Sequence, residues 1–238
     1  MTMDRLRRDV PIDPPQAALL LIDVQNYSTH PAGGSFADLD EAQKRARHAY
    51  FINLLVTKVL PNQAKLLSAC RNAEIEVIYT VIENLTSDGR DRSLDYKISG
   101  INVAKGSWDA QVPDMVAPLA DEIVFSKTSS SVFISTNIDY VLRNLGVRFL
   151  IMVGVLTDQC VDSAVRDACD LGYLVTVVTD ACATHTPERH ASSLANNRGY
   201  CRQVTTEELI AEIEQIKSLN ERAAPQPCAP QSPTSSGR

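Results

Sequence analysis

The 238-residue chain contains no Cys-x-x-Cys pair, although it carries six cysteines: Cys70, Cys160, Cys169, Cys182, Cys201 and Cys228. They are scattered, and none has a histidine at ligand spacing. That argues against a zinc site and against a disulfide scaffold, so no metal and no cofactor is expected. Basic charge is scarce as well: 23 Lys plus Arg against 29 Asp plus Glu leave a formal net charge of −6. With no dominant basic patch, neither nucleic acid nor an anionic membrane is expected as a partner. The arginines Arg5, Arg7 and Arg8 lie in a polar N-terminal arm, residues 1–16, and read as solvated surface. No apolar run approaches the length of a membrane span, and no signal-peptide pattern opens the sequence. A cytoplasmic protein with reduced thiols is the expectation. A phosphate cradle is missing too: no G-x-G-x-x-G follows the first apolar run, and Gly33–Gly34 is too short to serve.

What is present is an ordinary globular composition, 44 % hydrophobic and 22 % charged, in a chain long enough for one large domain. Apolar runs at 17–23, 75–81, 122–126, 148–154 and 173–179 predict buried strands, with a sixth around 200–204. Their hydrophobicity is continuous rather than alternating, which suits a parallel sheet covered on both faces. Helical patterns lie between them: 38–59, a second from Pro61 to Ala73, a third capped by Ser135 or Thr136 and ended by Gly146, and a fourth from Cys160 to Gly172. In the fourth, Val161, Ala164, Val165, Ala168 and Leu171 form one apolar face. Alternation of strand and helix predicts a three-layer α/β/α sandwich over residues 17–220. The aperiodic segment 82–121 reads as a lid or an oligomer contact. From Glu221 to Arg238 the Ala/Pro/Gln/Ser-rich sequence reads as a disordered tail that includes Cys228.

Parallel sheets bind ligands beyond the carboxyl ends of their strands, so the residues there carry the functional signal. Asp23 ends the first strand, Lys127 follows the third, and the loop after the fourth leads to Cys160. Taken singly, each has an ordinary role as turn residue, solvated charge or core thiol. As a set they make chemical sense. A helix N-terminus and an ammonium favour a thiolate, a carboxylate can accept and return the thiol proton, and backbone amides at the helix start can hold an oxyanion. That set suits acyl transfer from an amide.

Three blocks in order, "LLLIDVQN" (19–26), "SKTSSSVFISTNIDYVLRNLGV" (126–147) and "IMVGVLTDQCVDSAVRDACDLGYLVTVVTDACAT" (151–184), make the chain resemble the isochorismatase-like cysteine hydrolases over nearly all of 15–215. The resemblance implies a mainly parallel, Rossmann-like six-stranded sheet and an Asp23–Lys127–Cys160 triad. It also implies a cis peptide at Val155–Leu156 that turns the Leu156 amide toward an oxyanion shared with the amide of Cys160. Family members are usually homodimers or homotetramers, so a homo-oligomer is expected, and 82–121 is a candidate to complete a neighbour's pocket.

The departures from common family patterns inform the substrate. Nicotinamidases in the family often carry an Asp-x-His metal pair after the second strand, where this chain reads "TVIENLTSDGR" without histidine. After the first Asp it reads "QNYSTHPAGG" instead of the frequent "QNDF", so Gln25, Tyr27 and Phe36 become candidate pocket residues. The stretch 77–100 is similar to the branch that hydrolyses linear ureides such as ureidoacrylate, triuret or biuret, and Glu83 and Asn84 are candidates to hydrogen-bond such a ligand, alongside Thr157. His185 and His190 read as structural or solvated loop histidines, Cys169 as packing, and Cys182, close to another strand end, as a candidate for a secondary pocket role that nothing in the sequence requires. The expected activity is cysteine-dependent hydrolysis of a C–N bond in a small linear amide or ureide. Isochorismatase-type vinyl-ether hydrolysis and an inactive binding module of the same fold are the alternatives.

Overall fold

A computed structural model describes residues 7–223. Within it six strands, β1 (Ala17–Ile22), β2 (Glu76–Ile82), β3 (Ile123–Lys127), β4 (Phe149–Val155), β5 (Leu174–Ala183) and β6 (Arg202–Val204), form one sheet in the order β3-β2-β1-β4-β5-β6. Every pairing is parallel. All six residues of β1 are buried, as a strand flanked on both sides and covered on both faces requires.

Side-chain alternation sorts the strands into two cores. Ala18, Leu20 and Ile22 join Leu150 and Met152 on one face, against Ile138 and Leu142 of α4 (Ile138–Asn144) and Ala164, Val165 and Ala168 of α5 (Asp162–Asp170). Ala17, Leu19 and Leu21 join Ile151 and Val153 on the other, against Leu66, Leu67 and Cys70 of α2 (Leu60–Asn72) and Leu209 and Ile213 of α7 (Thr206–Ala223). This is the expected three-layer sandwich. No helix among the described residues is long and apolar enough to cross a membrane.

Three expectations are revised. First, the helices predicted at 38–59 and from Pro61 are one continuous helical run. It begins at α1 (Glu41–Arg47), where Asp40 and Gln43 close a capping box, and passes through two π-helical stretches, His48–Ile52 and Leu55–Val59, into α2. Proline breaks a helix because it lacks a donor and crowds the preceding turn. Here the wider π turns come immediately before Pro61 and absorb both effects. Second, β5 extends to Ala183 because its ladder with β4 slips between Met152 and Gly154, a bulge that restarts pairing at Gly154–Cys182 and Val155–Ala183. The carbonyls of Asp180 and Ala181 beside that slip accept hydrogen bonds from the Asn62 and Gln63 amides of α2, at 2.9 and 2.8 Å. Third, α7 runs to Ala223, past the expected start of the tail at Glu221; residues 224–238, with Cys228, lie outside the described residues.

Candidate active site

The strand order reverses between β1 and β4, and there the crevice opens beyond the strand ends. Asp23 leaves β1 with φ 54°, a left-handed conformation that Asp tolerates better than most residues and that turns its side chain out of the sheet direction. Thr80 of β2 fixes it from both sides: its carbonyl accepts from Asp23 N–H at 3.0 Å, and its hydroxyl donates to Asp23 Oδ1 at 2.8 Å. Lys127 is the last residue of β3 and is fully buried, an exceptional place for an ammonium. Its Nζ lies 2.8 Å from Asp23 Oδ2. It donates to the carbonyls of Ser129 and Ser130 at 2.8 and 3.2 Å and lies 3.4 Å from Cys160 Sγ. Burial, the largest single influence, lowers the Lys127 pKa; the Asp23 carboxylate, with Cys160 and Tyr96 beside it, outweighs that, and the net direction is upward, so the ammonium stays charged.

Cys160 sits in a π turn, Thr157–Val161, that leads from β4 into α5. The peptide Val155–Leu156 before it is cis. The loop is anchored by α6 (Pro187–Asn197) and the residues preceding it. Ser193 Oγ donates to the Thr157 carbonyl at 3.0 Å, Thr157 Oγ1 meets His190 Nδ1 at 2.9 Å, and Asp158 pairs with Arg189 and Thr184 at 2.5 Å each. Burial, reinforced by the Asp23 charge, pushes the Cys160 thiol up to about 12 against the pull of Lys127. The resting group is therefore the protonated thiol. Asp23 Oδ2, although beside Lys127, receives no aligned hydrogen bond, which leaves an acceptor beside the sulfur.

A fourth group comes from 82–121. Tyr96, in α3 (Leu94–Ile98), is 1 % exposed; its hydroxyl accepts from Lys127 Nζ at 3.1 Å and lies 3.9 Å from Cys160 Sγ. Because that oxygen accepts from Lys127, its own O–H is left to point at the sulfur or into the cavity. Burial, with the neighbouring Cys160, raises the phenol pKa, so it remains a donor. The segment expected to be a lid or an oligomer contact thus packs onto this chain's own site.

Asp23, Cys160 and Tyr96 line a cavity of about 500 Å³ whose walls also include Tyr27, Arg47, Asp95, Leu156 and His185, with Lys127 buried behind Asp23 and Cys160. The volume suits a small molecule, for which roughly 300–1,000 Å³ is usual. Of the further residues expected to contact substrate, only Tyr27 lines it. Gln25 is fully buried and bridges backbone, donating to the carbonyls of Ile82 and Asp109 at 2.9 and 3.0 Å and accepting from Ile82 N–H at 2.6 Å. Glu83 accepts from Gly106 N–H at 2.7 Å and from the Ser126 hydroxyl, and Asn84 donates to Asn102 at 2.8 Å. Phe36 packs in the core with Phe51 and Leu55, and Thr157 is taken up by His190. These five polar or aromatic groups satisfy the protein's own backbone and core rather than an occupant. Conversely, Tyr96, Arg47 and His185 line the cavity without having been expected there. An Arg within the 38–59 helical pattern and a His after a strand are the only signals the sequence offers for the last two.

A protonated thiol beside a carboxylate–ammonium pair, at the base of a small cavity, has the parts of a nucleophilic acyl-transfer site. No group of three or more His, Cys, Asp or Glu side chains gathers as a metal site among the described residues. The isochorismatase domain profile matches residues 17–208. Ureidoacrylate amidohydrolases from Rhizobium rhizogenes, 30 % identical over 76 % of each chain, and from Caulobacter segnis, 32 % identical over 75 % of this chain and 77 % of that one, are similar curated sequences. A cysteine hydrolase from Pseudomonas syringae superposes with a TM-score of 0.74 at 25 % identity, covering 90 % of this chain and 99 % of that one. An N-carbamoylsarcosine amidase from Thermoplasma acidophilum shares the fold at a TM-score of 0.62 and 23 % identity, over 80 % of this chain and 96 % of that one. The chain belongs to the isochorismatase-like cysteine hydrolase family.

Proposed function

We propose that the protein hydrolyses a C–N bond of a small linear amide or ureide through a thioester on Cys160. The observation that carries this reading is the contact set at the cavity base, with Lys127 Nζ 2.8 Å from Asp23 Oδ2 and 3.4 Å from Cys160 Sγ. As substrate displaces solvent, Asp23 takes the thiol proton, and Lys127 and the Tyr96 hydroxyl hold the resulting thiolate. Sulfur attacks the carbonyl, and the oxyanion lies against the amides of Leu156 and Cys160. The C–N bond breaks as Asp23 returns its proton to the departing nitrogen. Water, deprotonated by Asp23, then attacks the thioester, and the thiol leaves with the proton, releasing ammonia or amine and the acid or carbamate. The ureidoacrylate amidohydrolases similar to this chain support a ureide as substrate. The free thiols of Cys70, Cys160, Cys169, Cys182 and Cys201 fit a reducing compartment such as the cytoplasm.

The test is a small panel of ureides and amides with ammonia release and intact-protein mass as readouts. An acyl adduct on Cys160 and loss of turnover in a folded Cys160→Ala protein are expected. Undiminished turnover in that variant would overturn the covalent mechanism.

A further inference from the structure

In and behind the cavity wall, the charges are unevenly satisfied. Lys127 is matched by Asp23. Arg71, Arg143, Arg166, Arg189 and Arg202 each pair with a carboxylate elsewhere in the fold. Arg47 lines the cavity half-buried at the end of α1 and makes no ion pair among the described residues. His185 shares its part of the wall: its ring stacks edge-on against Phe51 at 4.9 Å, and its buried Nδ1 has no partner. Burial, and then the charges of Arg47 and Arg189, hold that imidazole down to about 4, so it adds no second cation beside Arg47. The one other free charge on the wall is Asp95, which lies on the exposed rim where solvent screens it.

An uncharged ureide filling this cavity would strip water from the Arg47 guanidinium and return only neutral carbonyl acceptors with no counter-charge, a poor exchange for a charged group. A carboxylate would replace that water with paired, charge-assisted hydrogen bonds to a planar fork of donors. We propose that Arg47 is the anion-binding end of the cavity and that the substrate is an acyclic ureido or amido acid, with its carboxylate remote from the scissile C–N bond. The proposal rests on Asp23, Lys127 and Cys160 being the hydrolytic centre and narrows its substrate: the uncharged ureides triuret and biuret are disfavoured.

Binding separates this claim from turnover. Calorimetry on Cys160→Ala protein would compare 3-ureidopropionate with its uncharged amide, 3-ureidopropionamide. The acid is expected to bind roughly 10- to 100-fold more tightly, the worth of a charge-assisted hydrogen bond. In the Arg47→Gln, Cys160→Ala protein that ratio should fall to about one, and Arg47→Lys should restore part of it. Equal binding of acid and amide with Arg47 intact, a preference that survives Arg47→Gln, or no binding of either would overturn the proposal. Arg47-dependent binding of the acid without ammonia release from the Cys160-intact enzyme would instead overturn the hydrolytic reading alone.

Discussion

Lys127 shows how a single buried charge is kept in place. Its ammonium is fully buried with Asp23 as counter-ion and with the carbonyls of Ser129 and Ser130 and the Tyr96 hydroxyl as further acceptors. A buried pair of this kind contributes little net stability over an apolar replacement, but breaking it from one side strands a charge, at a cost of roughly 3–5 kcal/mol. Lys127→Met should therefore be less stable by about that amount, seen as a lower denaturant midpoint, and lose turnover. The double variant Asp23→Asn, Lys127→Met should be equally inactive yet recover part of the stability. Equilibrium unfolding in urea checks this. If the single variant is as stable as wild type, or the double variant is no better than the single, the pair is not held as a buried unit.

At the scale of elements, the site depends on how closely β1 and β4 approach where the strand order turns. Gly154 has φ 133°, and a Cβ built there would lie 2.2 Å from the carbonyl oxygen of Ile22, the residue before Asp23. Only glycine lets the two strands close at that point. Gly154→Ala must push the end of β1, and Asp23 with it, away from Cys160. Overpacking of backbone against backbone costs roughly 1–3 kcal/mol, and a displacement near 1 Å at a catalytic group costs on the order of 100-fold in rate. Wild-type kcat/KM in a folded Gly154→Ala protein would show that the approach does not position Asp23. The same strand ends explain what was legible beforehand. Continuous apolar runs gave the strands, and polar residues closing them gave Asp23, Lys127 and Cys160, because burial and site fall on consecutive residues there. Strand-end polarity also misled: Gln25, Glu83 and Asn84 carry the same signal but are used to satisfy loop backbone. Tyr96, Arg47 and His185 reach the cavity from α3, from the end of α1 and from beyond β5. Their meeting is set by packing between distant segments, which periodicity does not encode. The continuous 41–72 helix was missed because Pro61 reads as a start whenever the π turns before it are not foreseen.

Across the whole molecule, buried titratable groups bound the pH range of stability. Burial raises the thiols of Cys70, Cys160 and Cys182 from about 9 to about 12, and that of Cys201 to about 11. Above pH 9 the unfolded chain releases these protons while the folded chain keeps them. The unfolded state thus binds fewer protons, and stability falls as pH rises from 9 toward 12, by up to about 1.4 kcal/mol per pH unit for each thiol. The buried phenols of Tyr79 and Tyr96, also raised, steepen this fall above their ordinary value of 10. His185 acts at the other limit with the opposite sign. Its folded pKa is lowered from 6.5 to about 4, chiefly by burial, so between those values the unfolded chain takes up a proton that the folded chain refuses. Stability contributed by the neutral ring is whole above pH 6.5 and is lost as pH falls through 4. Urea midpoints measured from pH 4 to 10.5 should form a plateau between about 6.5 and 9 with a limb on each side. His190, also lowered from 6.5 chiefly by burial, adds to the same limb, so His185→Gln, whose amide does not titrate, should make the acid limb shallower between 6.5 and 4 and leave the alkaline one in place. An acid limb unchanged by that substitution would transfer it to other groups and refute the assignment to the cavity histidine.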